Sequence, residues 1–186
     1  IDWYEKNRHI TNDYIQHRLG ITTFRVALDL AVAQQPDKLT LEPVAHTSEA
    51  WWEWQGGPKN QHKRPTISFS HHNTTVKIGI CPDGFFAIGH GEKEYPCLLE
   101  FDSGSMPVHR SNPNLTSIAR KLLTYWHLWD QNIQYRKGLL RSSPLRDFFG
   151  VQAFRVLFIT TTPERIASMI KACQDLFEAG RKLFWF

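Results

Sequence analysis

No apolar run in this 186-residue sequence approaches the ~20 residues that a membrane span needs. No signal peptide is visible at its start. Both observations predict a protein without membrane partners. Cysteine is scarce. Cys81, Cys97 and Cys173 are odd in number and widely spaced, and they form no CxxC pair. That pattern indicates neither a disulfide framework nor a zinc knuckle, and it predicts reduced thiols in a cytoplasmic protein. The sequence also lacks internal repeats, low-complexity tracts and any linker that would separate two domains. Residues 1–186 therefore read as a single domain.

What is present fits a domain with a substantial core. Hydrophobic residues make up 41% and charged residues 22%, so disorder is not the expected state. Seven Trp are many for this length, and core or core-edge positions suit such large apolar side chains. The net charge of +4 is mildly basic. It is compatible with a polyanionic partner such as DNA without requiring one.

Periodicity sets out the elements. Asn12 to Gln35 predicts helix, closed by Pro36, with Gly20 and a capping Thr22 or Thr23 allowing two segments. Trp51 to Trp54 predicts a short strand, which runs into Gly56-Gly57-Pro58 and a basic, solvated loop from Lys59 to Pro65. Thr74 to Ile80 and Phe85 to Ile88 predict two strands, or one bent strand, broken at Asp83. Gly89 to Pro96 reads as a charged turn, and Cys97 to Asp102 as a strand. Leu115 to Trp129 is the clearest helix, with Ile118, Leu122, Tyr125 and Trp129 on one stripe. A polar loop follows. Phe154 to Thr160 predicts a strand buried on both faces. Thr162-Pro163 opens a last helix, which Gly180 stops after Ala179. This order predicts an α/β fold, a central mixed β-sheet flanked by helices.

Three acids stand at strand ends. Glu100 and Asp102 are two apart, so they share a face about 7 Å from one another. If the strand after Asp83 pairs with theirs as a hairpin, Asp83 joins that face. Converging carboxylates repel unless a cation lies between them, and oxygen ligands of this kind suit Mg²⁺ or Mn²⁺. Asp83, Glu100 and Asp102 are thus the candidate metal ligands. The plainer reading of each acid is a solvated turn residue. Lys121, four residues before Tyr125 on the predicted helix, either snorkels to water or faces a phosphate beside the acids. Arg120, about 100° round the helix, is expected to point away.

A strand ending in Pro-Asp, a second strand carrying Glu, and a helix behind them resemble the PD-(D/E)XK nuclease superfamily. Here these are Pro82-Asp83 and Glu100-Phe101-Asp102, with Asp102 standing where that motif has Lys. The resemblance implies a restriction-endonuclease-like core with Asp83, Glu100, Asp102 and Lys121 catalytic, Lys121 supplying the missing lysine from the helix. More narrowly, PDGFFAIGHGEKEYPCLLEFDSGSMPVHRSNPNLTSIARKLLTYWHLW, FGVQAFRVLFITTTPERIASMI and HRLGITTFRVALDLA are similar to the replication-relaxation family of plasmid and mobile-element proteins. That similarity implies metal-dependent nicking or relaxation of plasmid or mobile-element DNA, in replication or conjugative transfer, alongside other replication or mobilisation proteins. Members of that family usually carry a winged-helix domain ahead of this region. With Ile1 as first residue, the chain is therefore expected to be the C-terminal part of a longer protein. A relaxase that reseals its nick needs a covalent intermediate, and Tyr125 is the candidate beside Lys121, with a core aromatic as its plainer reading.

The alternative is a non-catalytic DNA-binding initiator or regulator that keeps the fold. Lys59, Lys63 and Arg64, with His71-His72 and Arg110, would then contact phosphates. A zinc site from Cys81, His90 and Cys97 lacks motif spacing. His17, His46, His109 and His127 read as surface or satisfied core histidines. Trp51, Trp52 and Trp54 offer either base-stacking or core packing.

Overall fold

A computed structural model describes residues 11–42, 51–52, 66–71, 74–112, 115–177 and 182–186. In chain order the elements are α1 (Asn12–Ala33), β1 (Thr40–Glu42), β2 (Trp51–Trp52), β3 (Thr66–His71), β4 (Thr74–Gly79), β5 (Gly84–His90) and β6 (Lys93–Asp102). There follow α2 (Ile118–Arg136), α3 (Pro144–Phe149), β7 (Arg155–Thr160), α4 (Pro163–Leu176) and β8 (Phe184–Trp185). The fold is mixed α/β, as the element order predicts.

The main sheet runs β1-β5-β6-β7-β8, and β2 joins β1 along the same edge of β5. β5 and β6 form an antiparallel hairpin, whereas β6–β7 and β7–β8 are parallel. β3 and β4 make a separate two-stranded antiparallel sheet. The segment before Asp83 and the segment after it therefore belong to different sheets. The hairpin is longer than periodicity implies. His90 pairs with Lys93 across a two-residue turn in which Gly91 has φ +59°. Tight hairpin turns need positive φ, which glycine adopts without steric penalty. The charged residues on both sides then extend the ladder into solvent instead of forming a loop.

Alternation along β6 sorts the two helical layers. Leu98, Glu100 and Asp102 share one face, with Cys97, Leu99 and Phe101 on the other. On the first face, Leu98 joins Ile118, Leu122, Tyr125 and Leu128 of α2, and Met169, Ala172 and Cys173 of α4, in the main core. On the second, Ile21 packs with Phe86, Cys97 and Leu99, backed by Phe24 and Leu28 of α1. A fully buried Leu of this kind contributes roughly 1.5–3 kcal/mol. β7 lies between β6 and β8. Its Val156 and Phe158 belong to the first core, while Leu157 and Ile159 pack on the second.

The helix ends follow capping chemistry. Thr11 caps α1 by accepting from the Tyr14 N–H at 3.2 Å. α1 continues through Gly20 as one helix. Ser117 caps α2 by accepting from the Arg120 N–H at 3.2 Å, so that helix starts at Ile118 and leaves Leu115 exposed. Thr162 caps α4 as its sequence predicts, but the helix ends at Leu176, where Phe177 turns to extended backbone at φ −143°. Gly180, Glu53 and Trp54 lie outside the described residues. β1, α3 and β8, with three, six and two residues, are too short to carry a periodic signal. β3 does alternate polar and apolar residues over Thr66–His71, a strand signal absent from the expectations above.

Candidate functional site

The hairpin brings Asp83 to Glu100. Gly84 pairs with Leu99, so Asp83, one step further, stands across from Glu100. Its N–H donates to the Leu99 carbonyl at 2.8 Å. Its Oδ2 accepts from the Phe101 N–H at 2.8 Å, and its Oδ1 lies 3.0 Å from His17 Nε2 on α1. Burial alone would raise the Asp83 pKa. The His17 hydrogen bond and the positive charge of Lys121 outweigh that and hold it below the usual 3.8.

Glu100 is 2% exposed, facing α2. Lys121 Nζ donates to its Oε2 and the Tyr125 hydroxyl to its Oε1. Lys121 and Tyr125 are one helical turn apart, so a single face of α2 delivers both donors. Burial, with the Asp83 charge adding to it, lifts the Glu100 pKa despite the ammonium beside it. Lys121 shows the reverse balance. Burial would lower its pKa, but Glu100, Asp83 and Asp102 together raise it. Tyr125, buried against the Glu100 carboxylate, is pushed well above 10 and stays a protonated donor.

Asp102 has its own partner. Arg165, in the first turn of α4, donates from Nε to Oδ2 at 2.6 Å and from Nη2 to Oδ1 at 3.1 Å. The Thr160 hydroxyl adds a third bond at 3.1 Å. Arg165 also donates to the Met106 carbonyl, which ties the loop after β6 to the same point. The bidentate fork fixes the carboxylate in one orientation.

Beside Glu100 opens a cavity of about 300 Å³. Lys77 and Cys81 line it from β4 and the segment that follows, and Arg120, Lys121 and Tyr125 line it from α2. Lys77, Arg120 and Lys121 place three cationic side chains on its wall, with the Glu100 carboxylate among them.

The replication-relaxation family model matches residues 2–141. The chain belongs to the replication-relaxation family. Membership points to a role in plasmid or mobile-element replication. The matched stretch contains Asp83, Glu100, Asp102, Lys121 and Tyr125, and it stops before β7 and α4, which supply Thr160 and Arg165. No curated protein and no solved structure matches this family member. None of the described helices is long and apolar enough to cross a membrane.

Asp83, Glu100, Lys121 and Tyr125 form one connected cluster. Asp102 shares the face but is claimed by Arg165, and among the described residues no three His, Cys, Asp or Glu side chains are grouped to hold a metal ion. Lys121 donates to Glu100, Arg165 holds Asp102, and His17 with the Phe101 N–H holds Asp83, so each of the three expected ligands has protein partners. Arg120, expected to point away, lines the cavity. Arg110 is exposed, and its Nε donates to the Thr116 carbonyl at 2.9 Å near the start of α2. Lys59, Lys63, Arg64, His46 and His72 lie outside the described residues. Cys97 is buried on the α1 side, with its thiol pushed up to about 11 chiefly by burial, while His90 is exposed at the hairpin end. Those two cannot share a zinc ion with Cys81. His127 stacks on Phe69 at 3.9 Å, a packed histidine as expected. His17, read as a surface or satisfied core histidine, is satisfied by Asp83, whereas Arg165 carries no sequence expectation. Each is a helix residue whose partner lies more than sixty positions away, and nothing local marks such a pairing.

Proposed function

We propose that this protein nicks DNA in plasmid or mobile-element replication or transfer, on a restriction-endonuclease-like core in which Asp83 and Glu100 hold Mg²⁺ or Mn²⁺. The observation that carries the reading is Lys121, bonded to Glu100 and close enough for its charge to act on Asp83, on the wall of a cavity that Lys77 and Arg120 also line. Asp and Glu on adjacent strands, with Lys behind them, make a donor set and a counter-charge suited to a phosphodiester.

The donor chemistry fits a two-carboxylate site. An ionised carboxylate offers about four lone-pair sites. Asp83 and Glu100 each accept one protein bond per oxygen, which leaves capacity at both. Mg²⁺ ordinarily takes one or two carboxylates and completes its shell with water and phosphate oxygens. Asp102, with three donors on its two oxygens, does not fit as a ligand and serves to fix the end of β6. When bound, the ion would supply charge stabilisation at the scissile phosphate and a more acidic water. Lys121 would turn its ammonium to the phosphate, Lys77 and Arg120 would hold neighbouring backbone charge, and Tyr125 would orient Glu100. A neutral, buried Tyr125 suits hydrolytic nicking better than a phosphotyrosine intermediate.

The second reading, a DNA-binding initiator or regulator without cleavage, is favoured by one observation. Every oxygen of the three carboxylates already has a protein donor, so the cluster is hydrogen-bonded without an ion. Nicking of supercoiled plasmid with Mn²⁺ separates the two. Under the nuclease reading, Asp83→Asn and Glu100→Gln each lower the rate by about 10²–10³, the range for loss of one charge-stabilising group, while Tyr125→Phe retains most of it. Wild-type protein that binds DNA yet neither binds Mn²⁺ nor nicks would leave the regulator.

A further inference from the structure

We propose that His17 is the positioning residue of the site: from α1 it fixes the orientation of the Asp83 carboxylate for the divalent ion. The inference rests on the two-carboxylate reading above and adds a residue from the other helical layer. An ionised carboxylate only accepts hydrogen bonds, so the His17 Nε2 that lies 3.0 Å from Asp83 Oδ1 carries the proton and donates. The Asp83 backbone is tied to the Leu99 carbonyl, but its side chain stands ahead of β5 with 19% of its surface exposed. Two donors from different elements hold it. His17 takes Oδ1 from α1, and the Phe101 N–H takes Oδ2 from β6 at 2.8 Å. A single bond would leave the carboxylate free to swing about it, whereas one bond to each oxygen fixes its plane.

The two donors are coupled through one residue. The His17 ring packs edge-on against the Phe101 ring, with 5.6 Å between centroids and 72° between planes. Gly20, three residues on and on the same side of α1, lets the helix come this close, since a Cβ there would lie 2.0 Å from that ring. Phe101 thus supplies one donor through its backbone and braces the other through its side chain. Asp83 is held from the α1 layer, while Lys121 and Tyr125 hold Glu100 from α2. Neither acid depends on the other's helix for its orientation. Groups that orient a ligating carboxylate ordinarily set metal affinity, and losing one costs about 10–100-fold. A histidine that only filled the space between α1 and β6 would act through its ring and not through the Nε2 proton.

Two substitutions separate these roles. His17→Leu keeps apolar packing on Phe101 and removes the donor, whereas His17→Gln loses the ring and offers an amide N–H in place of Nε2. His17 has 28% of its side chain exposed, so neither change empties the core, and an unchanged circular dichroism spectrum checks that each variant folds. Mn²⁺ is titrated calorimetrically into the full chain without DNA, so that binding is read apart from cleavage. His17→Leu is expected to weaken Mn²⁺ binding by about 10–100-fold, and His17→Gln to retain most of the wild-type affinity. Wild-type affinity in His17→Leu, or equal loss in both substitutions, would overturn the positioning role and leave the nuclease reading standing. Wild-type protein that takes up no Mn²⁺ would overturn both.

Discussion

Arg165 illustrates how a single side chain decides the role of another. Asp102 has 4% of its side chain exposed and Arg165 has 17%, so the pair is held away from most solvent. Removing one partner of a buried pair strands the other charge and costs about 3–5 kcal/mol, far more than an exposed pair would. Arg165→Met is therefore expected to lower the unfolding free energy measured by urea titration by about 3 kcal/mol, the lower end of that range, since Arg165 keeps some solvent contact. Arg165→Met combined with Asp102→Leu should recover much of the loss. Equal loss in single and double variants would show that the pairing is not what holds the end of β6. Much of the acid cluster is legible at this scale. Strand period two puts Glu100 and Asp102 on one face, Pro82 marks the break before Asp83, and Lys121 sits one turn from Tyr125 on an obvious helix. What remains hidden is which cation each acid meets. His17 is 66 positions from Asp83 and Arg165 is 63 from Asp102, and periodicity carries no information over such distances.

Between elements, Gly20 sets how closely α1 approaches β6. A Cβ built there would come within 2.0 Å of the Phe101 ring. Within a helix, Gly→Ala ordinarily gains about 1 kcal/mol from propensity. Here the ring would have to move, and overpacking of this sort costs about 1–3 kcal/mol. His17 packs edge-on against the same ring at 5.6 Å, so the displacement also disturbs its bond to Asp83. Gly20→Ala is expected to lower the melting temperature, and Phe101→Leu on the same chain to relieve most of that loss. A rise in stability for Gly20→Ala alone would mean that the ring yields freely. In sequence, Gly20 looks like an interruption of the helix and so like a boundary between two. Contact with a strand eighty residues further on turns it into a packing position instead. The same limit explains why β4 and β5 could be read as strands while their division into two sheets could not.

At the scale of the molecule, the central sheet and its two helical layers follow from the alternation of β and α segments, whereas the strand order rests on contacts that no local pattern encodes. The stretch matched by the replication-relaxation family ends at residue 141, yet β7, immediately beside β6, begins at Arg155. A chain cut after Arg141 would lose the parallel partner of Cys97–Asp102 and the Val156 and Phe158 side chains of the main core. An uncovered, apolar strand edge of this kind invites pairing with other chains. Residues 1–141 alone are thus expected to aggregate, and co-expressed residues 142–186 to restore solubility. A monodisperse, cooperatively unfolding 1–141 fragment would contradict this.

The parallel pairing of β6 with β7 also bears on how the molecule is born. A hairpin closes as soon as its second arm is made, but β6 must wait through α2 and α3 before its other neighbour leaves the ribosome. Long-range parallel pairing is intrinsically slow to form. Until it does, Glu100 and Lys121 have already been synthesised on a half-built scaffold, and this nascent state is where a folding helper would find sticky surface to shield.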